Sequence, residues 1–133
     1  MPVPVPPYTD RYAWGSAKTH YSNRPYTWMR VHGPKGVIDL WALIDTGADF
    51  LMLENSVATT LGIALPPPPI AIKVAGGGSV FVTKISGVQI TVEGKTANVD
   101  ALFFGGTGTS LLGRTAILSA IEFGIDNTGW LYR

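Results

Sequence analysis

The sequence predicts an all-β domain carrying one or two short helices. Runs of β-branched and aromatic residues at strand length, turn chemistry between consecutive runs, and few stretches with helical period point that way. At 133 residues, 46% of them hydrophobic, the chain has the length of one ordinary domain and enough apolar material for a core. A net charge of +1 with 14% charged residues argues against a nucleic acid or an anionic membrane as partner, where clustered Lys and Arg are expected. The lack of cysteine excludes disulfides, thiolate metal sites and a cysteine nucleophile. His20 and His32 are the only histidines, which leaves little for a zinc cluster or a Ser-His-acid triad. Hydrolytic chemistry would fall to carboxylates.

Residues 1–24, rich in Pro, Tyr and small polar residues, show neither period and are read as an extended arm before a domain at 25–133. The aromatics Tyr8, Tyr12, Trp14 and Tyr21 favour docking of that arm. Its start is neither basic nor continuously apolar, and no run reaches transmembrane length; a soluble, cytoplasmic protein is the expectation.

Tyr26 to His32 and Val37 to Ile44 form a hairpin around the turn residues Gly33-Pro34-Lys35-Gly36, and the second strand ends at Asp45. Phe50 to Leu53 is a further short strand. Asn55 is read as an N-cap, Ser56 to Leu61 as a helical turn or two, and Gly62 as its left-handed C′ residue. Pro66 to Pro69 makes a stiff connector, favoured over an SH3-type ligand because spaced prolines and flanking basic residues are missing. Ile70 to Val74 and Val80 to Ile85 bracket the tip Ala75-Gly76-Gly77-Gly78-Ser79, either a mobile flap or a loose surface loop.

Val88 to Val92 and Thr96 to Phe104 form another strand pair around Glu93-Gly94-Lys95. Gly105 to Thr109 lacks the Lys-Ser/Thr pair of a phosphate loop. Leu111 to Arg114 ends a strand, and Thr115 to Ile121 is a short helix whose apolar face is Ile117, Leu118 and Ile121. Phe123 to Ile125 and Trp130 to Arg133 flank a turn at 126–129, giving a terminal strand or hairpin.

The most informative stretch is Trp41 to Asp49, where an apolar run delivers Asp45 into Thr46-Gly47. Burying a lone carboxylate costs several kcal/mol unless it is paired or hydrogen-bonded. Asp45 is therefore either a structural acid capping its own turn or a functional one. The Asp-Thr-Gly triplet alone arises by chance in roughly one or two chains in a hundred of this length. Context adds specificity: Ala-Leu-Ile-Asp-Thr-Gly-Ala-Asp at 42–49 and Leu-Leu-Gly-Arg at 111–114 occur in that order, with a Gly-rich hairpin between them.

Over residues 26–125 this arrangement resembles the retropepsins, the single-domain aspartic proteases of retroviruses and their cellular and bacterial relatives. The resemblance implies a small closed β-barrel, a Gly-rich flap, no cofactor or metal, and a peptide or protein substrate. Asp45, with Thr46 and Gly47, becomes the catalytic triplet, Thr46 gripping the second subunit. Leu111-Leu112-Gly113 becomes the strand behind the active-site loop, and Asp49 with Arg114 the family's buried ion pair, whose role is structural support. Substrate would lie against Ala48, Asp49, Phe50, Val74, Thr109 and Leu111, under Ala75, Gly76, Gly77 and Gly78, with apolar or aromatic residues flanking the cut.

Aspartic proteolysis needs two carboxylates sharing a proton, and Asp10, Asp39, Asp100 and Asp126 have no matching turn. One chain offers half a site, so a two-fold homodimer is implied. Ala48 lacks the hydroxyl that pepsin-like enzymes carry there, which implies a mildly acidic activity optimum. Pro2, Pro4, Pro6 and Pro7 lack amide donors, so the arm is a poor strand for an interleaved terminal sheet. Either Trp130-Leu131-Tyr132 carries that sheet alone or the dimer is arranged differently. His20 and His32 are read as surface or packing residues, and Trp41 as core. The rival reading is a retropepsin-like fold that no longer cleaves and serves as a dimerisation or peptide-binding module.

Overall fold

A computed structural model describes residues 10–13, 26–74, 76–120, 123–126 and 129–132. The elements run β1 (Asp10–Ala13), β2 (Tyr26–Gly33), β3 (Gly36–Asp45), β4 (Leu51–Glu54), α1 (Asn55–Leu61), β5 (Ile70–Lys73) and β6 (Ser79–Val92). They continue with β7 (Lys95–Phe104), β8 (Ser110–Gly113), α2 (Arg114–Ala120), β9 (Phe123–Asp126) and β10 (Gly129–Tyr132). The larger sheet has the order β2-β3-β8-β4-β7-β6-β5, and a further β2–β6 pairing closes six of its strands into a barrel. Met29, Arg30 and Val31 of β2 make that closure against Val92, Thr91 and Ile90. An all-β barrel with two short helices is thus the architecture, as the sequence implied.

Strand alternation decides what fills the barrel. Met29 and Val31 of β2, Ala42 and Ile44 of β3, Leu51 and Leu53 of β4, and Ala101 and Phe103 of β7 are all buried in one cluster. The same alternation turns Trp41, Leu43 and Asp45 outward, so the carboxylate leaves the strand away from the core. It is only half-buried, which removes most of the desolvation cost that a core carboxylate would carry. Trp41 is not a core residue: it stacks on the exposed Trp28 on the outer face, with ring centroids 4.1 Å apart.

The long strand β6 joins what the sequence suggested were two strands. Between Ile85 and Val88 the register against β7 shifts, with Ile85 opposite Ala101 and Val88 opposite Val99. One extra residue on β6 makes this a β-bulge at Ser86-Gly87, and it exchanges the parity that faces the core. Before the bulge Val82 packs in a second cluster with Leu102 and Phe104, on the outer side of β7. After it Val88, Ile90 and Val92 enter the barrel.

α1 begins at Asn55, with Glu54 in the N-cap position and no side-chain cap bond. Asn55 is therefore not the cap the sequence suggested. Gly62 does end the helix in the left-handed conformation, with φ 72°. On α2, Ala116 and Ile117 are buried but Leu118 is exposed, narrowing the expected apolar face; Ile121 lies outside the described residues.

The termini form a separate three-stranded antiparallel sheet, β1-β10-β9. Asp10–Ala13 of the arm pairs with residues 129–132, beyond the prolines that made a strand there look unfavourable. Within the one chain, Trp130-Leu131-Tyr132 thus pairs with β1 on one side and β9 on the other. The rest of the arm lies outside the described residues, as does His20.

Candidate active site

Asp45 closes β3 and opens a tight turn. Its own carbonyl accepts the Ala48 amide at 3.1 Å and its carboxylate Oδ1 accepts the Gly47 amide at 2.9 Å. Thr46 and Gly47 are exposed beside it. The Thr46 hydroxyl has no partner among the described residues.

β8 runs behind this turn, parallel to β3, with Leu112 opposite Ile44 and Gly113 opposite Asp45. The approach leaves no room for a side chain: a Cβ on Gly113 would lie 2.2 Å from the Phe50 carbonyl oxygen. Directly after the crossing, the Arg114 amide donates to the Ala48 carbonyl at 2.8 Å and the Thr115 amide to the Asp49 carbonyl at 3.1 Å. The Thr115 hydroxyl donates to the same Asp49 oxygen. The start of α2 is thereby fastened to the turn that carries Asp45.

The Arg114 guanidinium donates to the Asp49 carboxylate at 2.7 Å. The resemblance implied a buried pair, but the two side chains are 53% and 63% exposed. Both are open to solvent, where an ion pair contributes about 0–1 kcal/mol. The backbone bonds are therefore the main brace.

Asp45 borders a cleft of about 480 Å³ whose lining includes Asp49, Phe50, Ile72, Val74 and Leu111. Beneath it lies the cluster of Val82, Leu102 and Phe104 outside the barrel. The cleft thus combines an apolar wall with two acids, an arrangement that can seat apolar groups and present a carboxylate beside them. Among the described residues no group of three or more His, Cys, Asp or Glu could hold a metal ion.

The aspartyl protease family model matches residues 29–116, more than half of the chain and inclusive of both the Asp45 turn and the Arg114 crossing. The chain belongs to the retropepsin-like aspartyl proteases. No curated protein matches it.

In this aspartyl protease the cleft brings together Asp45, Gly47, Ala48, Asp49, Phe50, Val74 and Leu111 of the residues expected from sequence. Thr109, also expected as a wall, is exposed in the loop before β8 and outside the cleft lining. Gly76, Gly77 and Gly78 form the tip of the β5–β6 hairpin, also outside that lining, and Ala75 lies outside the described residues. The tip is a closed turn, with the Val74 amide donating to Gly78 at 3.0 Å and the Gly77 amide to Val74 at 3.2 Å. Gly76 and Gly77 both have positive φ, 90° and 86°, which accounts for glycine at those two positions.

Met52, Ile72, Lys73 and Leu102 complete the lining and were not anticipated. Three of them carried a signal. Leu51-Met52-Leu53, Ile70 to Ile72 and Ala101 to Phe104 are continuously apolar; in β4 and β7 this reflects cover on both faces, whereas β5 stays largely exposed and only Ile72 is half-buried.

The loop between β7 and β8 is held from the junction of β4 and α1. The Gly108 amide donates to the Glu54 carboxylate at 2.7 Å, and Ser56 donates its hydroxyl to the other Glu54 oxygen at 3.2 Å. The Gly105–Thr109 loop, unlike a phosphate loop already in its sequence, thus has an acid on one of its amides.

Proposed function

We propose that the protein is an aspartic endopeptidase working as a two-fold homodimer, with Asp45 of each subunit meeting on the symmetry axis. One observation carries the reading: the cleft has two carboxylates, Asp45 and Asp49, and the second is bound by Arg114. Asp45 is left facing an apolar cleft with one oxygen on the Gly47 amide and, among the described residues, no second unpaired acid in the cleft to share a proton with. The unpartnered, exposed Thr46 hydroxyl beside it suits a contact supplied by the second copy.

In the mechanism, the ionised Asp45 takes a proton from a water as that water attacks the scissile carbonyl. The protonated Asp45 of the other subunit gives its proton to the carbonyl oxygen, producing a tetrahedral diol. The Asp45 that took the water's proton then gives it to the amide nitrogen while the other Asp45 takes a proton from a diol hydroxyl, so the C–N bond breaks, the amine and the carboxylic acid leave, and the shared proton is restored. The Gly47 amide keeps Asp45 in the geometry both steps need. Thr46 and Gly47 serve the catalytic turn; Ala48, Asp49, Phe50, Val74 and Leu111 contact the extended peptide. The hairpin tip at Ala75, Gly76, Gly77 and Gly78 closes over the peptide as a flap, while Arg114 supports through Asp49.

The test is incubation of wild type and Asp45→Asn with a peptide library, with and without a statine-type transition-state mimic. Wild type cleaves and is blocked by the mimic, while the variant, folded alike, does not cleave. Equal cleavage by both proteins would remove Asp45 from the chemistry. Absence of cleavage by a dimeric wild type would favour a binding module instead.

A further inference from the structure

Among the described residues, Asp45 accepts the Gly47 amide and the other charged groups near the cleft are engaged by side chains, with one exception. Asp49 is held by Arg114. Lys84 lies 3.6 Å from Asp100 and 4.9 Å from the centre of the Phe50 ring. Lys73 lines the cleft between Ile72 and Val74, is exposed, and has no ion-pair or hydrogen-bond partner among the described residues.

From this we infer that Lys73 sets a charge preference: the cleft takes peptides bearing an Asp or Glu immediately beside a large apolar residue. The inference rests on the proteolytic reading and names the substrate class of the same site. β5 is the outer strand of its sheet, and successive residues along it alternate in direction. An extended peptide lying along β5 repeats that alternation. A residue seated against the apolar lining at Ile72 or Val74 is therefore followed by one whose side chain turns to Lys73. An acid there gains an ion pair, whereas a basic residue meets a like charge.

Peptides with a central Leu-Phe pair, identical save for Glu, Gln or Lys beside it, test this in two ways. Binding is measured by fluorescence anisotropy on full-length Asp45→Asn, and kcat/KM on wild type, each with and without Lys73→Gln or Lys73→Glu. The Glu peptide is expected to exceed the Gln peptide by about two- to five-fold, the range an exposed ion pair supplies. Lys73→Gln removes that difference, Lys73→Glu reverses the order of the Glu and Lys peptides, and added salt shrinks all these differences. An order unaltered in Lys73→Glu, or no binding of any peptide by Asp45→Asn, overturns the inference. Glu-selective binding without turnover by wild type would leave it standing while ending the proteolytic reading.

Discussion

Replacing Gly113 by alanine isolates the close crossing on which the active-site turn depends. The added Cβ would meet the Phe50 carbonyl oxygen at 2.2 Å, its carbon at 2.7 Å and its nitrogen at 2.8 Å. All three contacts are backbone, so no side chain can swing aside, and β8 must move away from the turn. That movement strains the Arg114 and Thr115 amide bonds to Ala48 and Asp49. Overpacking of this kind costs about 1–3 kcal/mol, and weakening two hydrogen bonds adds roughly 1 kcal/mol. The expected loss is about 2–4 kcal/mol, seen in urea as a lower midpoint and on heating as a Tm lower by roughly 10 °C. Hydrogen exchange should show the Arg114 and Thr115 amides losing protection before those of the distant Met29 and Val31. A variant within about 0.5 kcal/mol of wild type, with those two amides still protected, would refute the reasoning.

Phe103, fully buried in the barrel, should cost about 3–5 kcal/mol when cut to alanine, measured by urea unfolding. Glu54→Ala frees the Gly108 amide and should lower stability by about 1 kcal/mol, with faster exchange at Gly108. The Arg30 guanidinium, hydrogen-bonded to Asp39 through two nitrogens, holds the Asp39 carboxyl below its ordinary range. Because the folded value is the depressed one, the pair stabilises above the unfolded Asp range and this is lost as pH falls through the folded value. An NMR titration should show Asp39 moving up in Arg30→Gln. With Ala48 offering no hydroxyl to the proposed Asp45 pair, the pH-rate profile should peak in the mildly acidic range, and a peak at strongly acid pH would contradict that.

The barrel strands were legible because period-two alternation and turn residues punctuate the chain at each reversal. The bulge at Ser86-Gly87 was not: locally it looks like a turn between two strands, and only the pairing with β7 shows that β6 continues through it. The position of Trp41 was likewise hidden, since an apolar run cannot say which parity faces inward until its partner strands are known. At the site, the Asp45 turn and the Arg114 crossing were readable because sequence-local motifs carry them. For the cleft floor the continuous apolar runs at 51–53 and 101–104 show only that a second face is covered, and not that Met52 and Leu102, outward from a barrel already filled, line a cleft. Glu54 at the loop was not readable, because it depends on a contact across 54 residues of chain.

Mixing wild type with Asp45→Asn, after dissociation and reassociation at fixed total concentration, tests the shared site most directly. If each active site takes one Asp45 from each subunit, only wild-type pairs work, and an equal mixture retains about one quarter of the wild-type activity. Retention of about one half would mean that each chain cleaves on its own and would contradict the account.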